Sequence, residues 1–251
     1  MEPPMNRSSL RATALLALFL PLVAFARPPV DVEIYDRTAD RLLPIYWHDG
    51  ERYVAGEPGH RYEVRIHSQD AGRLLAVSSV DGVNVISGET AAASQTGYVL
   101  DPWGGVEIEG WRKNLDEVAA FYFTPLPDSY AARTGRPDNV GVIGVAVFRE
   151  RLPYPMLLRQ ESENAAAPAA EVRADSARAS QKLDKLGTGH GERVDSHVTY
   201  TDFERATDEP ECVIRVFYDS RRNLVAQGVI PTSRYARNVP NPFPAGFVPD
   251  P

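Results

Sequence analysis

Aromatic rings and arginines occur together between residues 98 and 133, and they form the strongest candidate binding surface in the sequence. Flat rings offer contact area to a sugar or a peptide, and the forked guanidinium group of arginine orients the polar groups of a ligand. The pattern predicts a ligand-binding set of Trp103, Trp111, Arg112, Tyr130 and Arg133. The alternative is that Trp111 belongs to the core and that Trp103 covers a turn, because buried aromatic side chains dominate protein cores.

Residues for covalent or acid-base catalysis are not set out in a recognisable motif. The nucleophile pattern Gly-x-Ser-x-Gly does not occur, and the only cysteine, Cys212, lies in an apolar strand-like run where a small hydrophobic role is expected. Carboxylate pairs such as Asp116 with Glu117 would suit glycoside hydrolysis only at a suitable separation in space. We therefore predict no catalytic residue and no cofactor, and a non-enzymatic protein is favoured over a hydrolase.

Two polar stretches suggest an anion or a metal site. The run Gly-Thr-Gly-His-Gly at residues 187–191 offers backbone amides but lacks the spacing and the Lys-Ser/Thr ending of nucleotide loops, so a flexible turn or a helix end is expected. His190, Glu192, Asp195 and His197 are close in sequence, but no His-Glu-x-x-His pairing occurs and zinc needs three or four converging ligands. An exposed polar hairpin explains these residues better, and no metal site is predicted.

The first 26 residues have the features of a signal peptide. Arg7 and Arg11 precede an apolar run that ends in Ala-Phe-Ala at residues 24–26, which is the small-x-small pattern of signal cleavage. A membrane anchor is the alternative, but the run is shorter than the roughly 20 residues that a bilayer span needs. The sequence predicts a mature chain that begins at Arg27, is periplasmic or extracellular, and has no integral membrane span.

Charge and cysteine content restrict the partners and the means of stabilisation. The net charge is −7 over 251 residues, with no basic run, which argues against nucleic acid or anionic lipid as the main partner. With one cysteine the chain forms no internal disulfide, so its fold must depend on its hydrophobic core. The expected partner is a protein or a cell-envelope component.

The elements that must position these residues are short β-strands. Tyr62, Val64 and Ile66 alternate with charged residues, and residues 139–148 form an uncharged, β-branched run typical of a central strand. The pairs Asp49-Gly50 and Asp81-Gly82 predict tight hairpins. The fold class is therefore mainly β: an antiparallel β-sandwich over residues 27–151.

The second half of the chain changes composition. Residues 152–186 form an Ala/Glu/Arg-rich connector, helical or disordered, and residues 237–251 form a Pro-rich tail. Between them, residues 187–236 are predicted to hold a C-terminal β-hairpin with strands at 212–218 and 224–230. Because an isolated hairpin is marginal in water, we expect it to pack on the sandwich and to close an open edge, with Val213 or Val216 in the same core as Val145 or Val147.

Several short motifs resemble those of a group of uncharacterised exported bacterial proteins. They are residues 79–85 (SVDGVNV), 97–100 (GYVL), 110–112 (GWR), 129–131 (SYA), 140–148 (VGVIGVAVF), 186–191 (LGTGHG) and 218–221 (YDSR). The resemblance covers most of the mature chain, implies no activity, and supports treating both halves as one working unit.

The function expected from these features is that of an exported, non-enzymatic β-sandwich module that binds a protein or a cell-envelope component. The alternative is a hydrolase acting on envelope sugar or peptide. A deep polar cleft with converging carboxylates would favour the hydrolase, whereas a closed sandwich with a shallow aromatic patch would favour the module.

Overall fold

The computed structural model describes residues 27–152 and 185–231, which form a β-sandwich of two seven-stranded sheets. The strands in chain order are β1 (Val30–Asp36), β2 (Arg41–Leu42), β3 (Tyr46–His48), β4 (Glu51–Gly56), β5 (Arg61–Ser68), β6 (Leu74–Val80), β7 (Val83–Asn84), β8 (Tyr98–Leu100), β9 (Gly105–Ile108), β10 (Gly110–Arg112), β11 (Glu117–Pro125), β12 (Val142–Arg149), β13 (Leu186–Asp195) and β14 (Cys212–Ser220). Two short helices, α1 (Tyr130–Arg133) and α2 (Arg221–Ala226), and two 3-10 turns, Leu126–Asp128 and Pro137–Asn139, complete the elements. The predicted mainly β sandwich is confirmed.

The two sheets differ in topology. In sheet A the order is β10-β11-β5-β1-β2, with β13 paired to β11 and β9 paired to β5, and every pairing is antiparallel. In sheet B the order is β3-β4-β14-β12-β6-β7, with β8 paired to β6. Strand β14 runs parallel to β4, so sheet B is mixed.

One hydrophobic core lies between the sheets, and the sequence pattern explains which side chains enter it. On β1, Val30, Val32 and Ile34 are buried in it, which is the period of two expected for a strand with one face to the core. Strand β12 contributes Val145 and Val147, and its other face is largely covered too, as the uncharged run predicted.

Both predicted Asp-Gly turns have the conformation that tight hairpins require. Asp49 and Gly50 have φ angles of 50° and 78° between β3 and β4, and Asp81 and Gly82 have φ angles of 54° and 72° between β6 and β7. Positive φ at both central positions gives the twist that matches paired strands. These turns fix the register of both strand pairs.

The segment after the connector lies inside the sandwich. Strand β14 is hydrogen-bonded to β12 on one side and to β4 on the other, and Val216 is buried in the core with Val145 and Val147. Val213 points outward and is 57% exposed. The expectation that this segment closes an edge was therefore wrong, because β14 is an interior strand of sheet B.

The prediction of a second hairpin strand at residues 224–230 was also wrong. Residues 221–226 form α2, which begins after Ser220, whose side chain accepts a hydrogen bond from the Asn223 amide. A serine cap satisfies an amide that a helix start would otherwise leave unpaired. Leu224 and Ile230 then pack beside Tyr46 and Tyr53 of β3 and β4, which buries the apolar run without a strand.

The run Gly-Thr-Gly-His-Gly belongs to strand β13 and not to a flexible turn. A Cβ atom at Gly187 would lie 2.6 Å from the Ser129 Cβ, and one at Gly189 would overlap the Tyr122 ring. Glycine is needed because these neighbours cover the strand closely. The polar residues of 190–195 therefore continue a strand paired with β11, and no exposed hairpin of their own is formed.

Three predicted segments fall wholly or mostly outside the described residues: the signal peptide 1–26, the connector 152–186 apart from its ends, and the tail 237–251. Neither helix in the described ranges is long and apolar enough to cross a bilayer.

Candidate binding site

A buried polar network joins the two sheets and fixes strand β13. The Asp81 carboxylate, fully buried at the β6–β7 turn, accepts hydrogen bonds from the Tyr218 hydroxyl (2.5 Å), the Gly141 amide (2.8 Å) and the Thr188 amide (2.8 Å). The Thr188 hydroxyl lies 2.6 Å from the Tyr218 hydroxyl and 2.5 Å from that of Tyr62. Sheet A contributes Tyr62 and Thr188, so this network sets how β13 lies against sheet B.

Burial dominates the electrostatics of this network. Desolvation raises the pKa of Asp81, although the hydrogen bond from Tyr218 and those from two amides favour its charged form. Desolvation also raises the pKa values of Tyr62 and Tyr218 well above 10.0. Both phenols therefore stay protonated and can donate at neutral pH.

The same strand carries His190 into a cavity of about 440 Å³, which we call the Tyr130 pocket. Its lining residues are Asp128, Tyr130, Arg133, Thr134 and His190. Helix α1 supplies two of them, and its start is fixed by Ser129, whose Oγ accepts from the Ala132 amide. Because Thr188 and His190 are two residues apart, both lie on the same face of β13.

An aromatic stack supports the pocket from beneath. The ring centroid of Trp111 lies 4.9 Å from that of Tyr130 and 6.3 Å from that of His190, and the Tyr130 and His190 centroids are 5.4 Å apart. Trp111 is only 2% exposed. It therefore orients the two rings that face the cavity but offers no face of its own to a ligand.

The lining of the Tyr130 pocket has one cation, Arg133, and one carboxylate, Asp128, and a second cation, Lys113, lies 3.5 Å from His190. Burial lowers the pKa of His190, and the charges of Lys113, Arg133 and Arg193 lower it further. Arg193 is paired with Glu117 at 3.0 Å, but in the described part of the chain Lys113 and Arg133 have no carboxylate within salt-bridge distance. His190 is therefore mostly neutral at pH 7, and the two cations near it, Arg133 and Lys113, have no carboxylate partner in these ranges.

A second and larger cavity of about 780 Å³ lies on the other side of the β10–β11 hairpin, and we call it the Tyr98 groove. Its lining residues are Arg73, Ile86, Thr96, Gly97, Tyr98, Val99, Asp101, Gly105, Val106, Arg112, Lys113, Asn114, Leu115, Val198, Thr199, Tyr200 and Thr201. Lys113 also lies 3.5 Å from His190 Nε2, so it is shared with the Tyr130 pocket. The cavity is open and mixed in polarity.

One long wall of the groove is formed by the start of strand β8 and the two residues before it. Four consecutive residues, 96–99, line it, and one of them is Gly97, which has no side chain. Since alternate side chains of a strand point to opposite faces, a consecutive run means that the backbone itself forms the wall. Among the described strands β8 pairs only with β6, so its other edge has no partner strand.

The opposite wall is an extended stretch without regular structure, residues 196–204, which we call the crossing segment. Arg112 holds its start: Nη1 donates to the Ser196 carbonyl (2.6 Å), Nη2 to the Ser196 hydroxyl (2.9 Å) and Nε to the Tyr98 hydroxyl (3.1 Å). Arg73 holds the far end by donating to Thr201 Oγ1 (3.1 Å) and to the Asp202 carbonyl (3.2 Å).

The middle of the crossing segment has unused backbone groups. The Val198 amide donates to the Leu115 carbonyl at 2.9 Å, but Thr199 and Tyr200 make no backbone hydrogen bond to any other described residue. The Tyr200 ring is 88% exposed beside them. The groove is therefore lined by the free edge of β8 and by the unpaired main chain of Thr199 and Tyr200, whereas the Thr96 carbonyl already accepts from Asn84 Nδ2 at 3.2 Å.

The five predicted ligand-binding residues do not form one surface. Tyr130 and Arg133 line the Tyr130 pocket with Trp111 beneath them, whereas Arg112 faces the Tyr98 groove. Trp111 and Arg112 separate because successive residues of a strand point to opposite faces. Trp103 lines neither cavity; it is 67% exposed in the β8–β9 turn with a φ of 58°.

Sequence reasoning did not select His190, Lys113 or Tyr200 as site residues. A usable signal for His190 was present, because glycine alternates with Thr188 and His190 in residues 187–191, which indicates a strand with one bare face. No local pattern marks Tyr200, whose position depends on contacts of Arg112 and Arg73 with distant residues.

Two histidines pair with carboxylates outside the two cavities, His60 with Asp36 and His197 with Asp116. His60 Nδ1 lies 2.8 Å from Asp36 Oδ2, and neither a serine nor the cysteine is hydrogen-bonded to that ring in these ranges. No group of three His, Cys, Asp or Glu side chains suitable for a metal ion occurs there either. Comparisons with protein-family models, curated proteins and solved structures found no match.

Proposed function

We propose that this chain is an exported, non-enzymatic β-sandwich module whose Tyr98 groove binds an extended segment of a partner protein of the cell envelope. The observation that carries the proposal is the pair of unpaired main-chain walls, strand β8 on one side and the crossing segment on the other. An extended peptide between the two walls would form main-chain hydrogen bonds with both of them. Such hydrogen bonds supply the affinity when a strand is added to a sheet edge.

The size of the groove fits a short segment. Each wall is four residues long, 96–99 and 198–201. At about 3.3 Å per residue this length accommodates roughly four extended residues of a partner. The rings of Tyr98 and Tyr200 flank this path and would contact alternate side chains of the peptide, which gives selectivity.

The polar groups of the groove favour binding over hydrolysis. Its lining includes three threonines, one asparagine and three cations, but a single carboxylate, Asp101. Glycoside hydrolysis needs two carboxylates across the scissile bond. Export is supported by the charged start, apolar run and Ala-Phe-Ala ending of residues 1–26.

The proposal is tested with the mature chain, residues 27–251, immobilised and screened against a displayed library of random 12-residue peptides. Tyr200→Ala should weaken binding of the selected peptides at least tenfold, since it removes an exposed ring at little structural cost. Trp103→Ala is the matched control, because that ring is similarly exposed but lines neither cavity.

Hydrogen exchange then locates the bound peptide. The amides of residues 98–100 and 199–201 should gain protection together when a selected peptide is added. Equal loss of binding in the Trp103→Ala variant would contradict the proposal and would indicate binding at the exposed tryptophan. Protection confined to another sheet edge would also contradict it.

A further inference from the structure

The Tyr130 pocket has the composition of a second, independent binding site. It lies on the far side of the β10–β11 hairpin from the groove and is built from α1, the turn before it and β13. A volume of about 440 Å³ falls in the range of small-molecule sites. It is too small for a long polymer but accommodates one ring-sized group.

Three polar groups converge on this cavity without a partner of their own. The Asp128 carboxylate, the Tyr130 hydroxyl and the Arg133 guanidinium all line it, and none makes a hydrogen bond or ion pair to another described side chain. The fourth polar lining residue differs, because the Thr134 hydroxyl already donates to the Tyr130 carbonyl at 2.8 Å. The unpaired set therefore contains an acceptor, a neutral donor and a cation.

Charge identifies one part of the ligand. Arg133 lines the cavity together with His190, and Lys113 Nζ lies 3.5 Å from His190 Nε2. Neither cation has a carboxylate partner among the described residues, so an anion beside His190 would be attracted by both charges. The Asp128 carboxylate also lines the cavity and would repel an anion, which disfavours a bare multivalent anion. A carboxylate at this position can accept hydrogen bonds, so the cavity suits a ligand that also carries hydroxyl donors.

The aromatic side chains of the pocket indicate the shape of the rest of the ligand. Tyr130 is held by Trp111 beneath it, and His190 lies beside it at a centroid distance of 5.4 Å. The Tyr130 ring is half-buried and has the Arg136 guanidinium over it at 5.8 Å, whereas the His190 ring is exposed. An exposed ring held in place presents a flat face, which matches a ligand ring that has C–H groups on its faces and hydroxyls around its rim.

We propose that the Tyr130 pocket binds one acidic sugar residue of the hexuronate class. Its carboxylate is held by Arg133 with Lys113 nearby, its hydroxyls by Asp128 and the Tyr130 hydroxyl, and its face by the exposed His190 ring. This ligand and its cavity differ from the peptide and its groove, although Lys113 lies beside both.

The experiment uses the mature chain, residues 27–251, with D-glucuronate, D-glucose and inorganic phosphate as probes. Binding is measured by saturation-transfer NMR and by the shift of the His190 ring protons. Glucuronate should bind, and glucose should bind about tenfold more weakly or worse, since a hydrogen bond to a charged group contributes roughly 1.5–3 kcal/mol.

Variants separate the pocket from the rest of the surface. Arg133→Gln should weaken glucuronate at least tenfold and leave thermal unfolding unchanged, because the side chain is exposed and unpaired. Arg221→Gln is the matched control, as Arg221 is also exposed but lies on α2 beside sheet B. It should leave binding unchanged.

Three results would overturn the inference. Equal binding of glucose and glucuronate would remove the role of Arg133 and Lys113. Phosphate that binds as tightly as glucuronate and competes with it would mean a simple anion site. Failure of all probes at 10 mM, with the chain folded, would mean that the cavity takes no ligand of this class.

Discussion

Replacing Tyr218 by phenylalanine should weaken the junction between the two sheets without changing the shape of the core. The substitution removes only the hydroxyl that donates to Asp81 Oδ1 at 2.5 Å and lies 2.6 Å from the Thr188 hydroxyl. The ring stays in place among Tyr62 and Phe123. After the change Asp81 keeps its two amide donors, and Thr188 keeps Tyr62.

The expected loss follows from the charge of the acceptor. A buried hydrogen bond to a charged group contributes about 1.5–3 kcal/mol, and leaving a buried carboxylate short of one donor adds to the cost. We expect the free energy of unfolding to fall by about 2–3 kcal/mol. For a folded region of this size that corresponds to a decrease in Tm of roughly 4–12 °C.

The loss should depend on pH in a defined direction. Burial raises the pKa of Asp81 in the folded state above its value in the unfolded state. The contribution of Asp81 to the free energy of unfolding is therefore fully present below the unfolded-state pKa, and it is lost as the pH rises through the folded-state pKa. Removing the Tyr218 hydroxyl raises the folded pKa further, since that bond favours the carboxylate. The destabilisation should therefore be larger at pH 8 than at the lowest pH at which the fold persists.

Urea unfolding of the mature chain at both pH values measures these differences, with Tyr200→Phe as the control because the Tyr200 hydroxyl is on an exposed ring. A loss below about 0.5 kcal/mol, which is typical of surface changes, would refute the claim that this network joins the sheets. A loss that grows on acidification would refute the claim that the Tyr218 hydroxyl favours the charged form of Asp81.

Four further outcomes are expected. Gly110→Ala should cost at least about 1–3 kcal/mol because its Cβ would overlap the Ala119 carbonyl oxygen, whereas Gly72→Ala, whose nearest neighbour is 3.4 Å away, should be nearly neutral in thermal unfolding. Arg112→Lys should speed proteolysis within the crossing segment, since an ammonium group cannot reproduce the three-way contact of the guanidinium. A chain ending at Arg151 should be insoluble or unfolded on expression, because sheet B loses the interior strand β14. Mass spectrometry of the exported protein should show cleavage after Ala26, and an intact amino terminus on that species would count against it.

Features set by local sequence were predictable. The alternation of Tyr62, Val64 and Ile66 in β5 and the two Asp-Gly turns depend on residues within a few positions of one another, and the structure has them. Features that depend on residues distant in sequence were not predictable. Residues 224–230 have an apolar pattern compatible with a strand, and only the surface offered by Tyr46 and Tyr53 makes helix α2 the better way to bury it.

The candidate sites were harder to predict than the fold for the same reason. Trp111 and Arg112 are adjacent in sequence, yet one supports the Tyr130 pocket and the other fastens the wall of the Tyr98 groove. Which face each takes follows from the register of β10 against β11, and that register cannot be read from three residues. Tyr200 lies near the groove only because two arginines, Arg73 and Arg112, hold the crossing segment there.

Strand β10 and the residue after it therefore connect the two sites physically. Trp111 orients the rings of the pocket, Arg112 holds the crossing segment, and Lys113 lines the groove and lies beside His190. The strand can lie close enough to β11 to do this because Gly110 leaves no Cβ against the Ala119 carbonyl. A side chain at that position would displace all three residues together. If both proposed ligands bind, Gly110→Ala should weaken both, whereas Tyr200→Ala should weaken only the peptide and Arg133→Gln only the sugar.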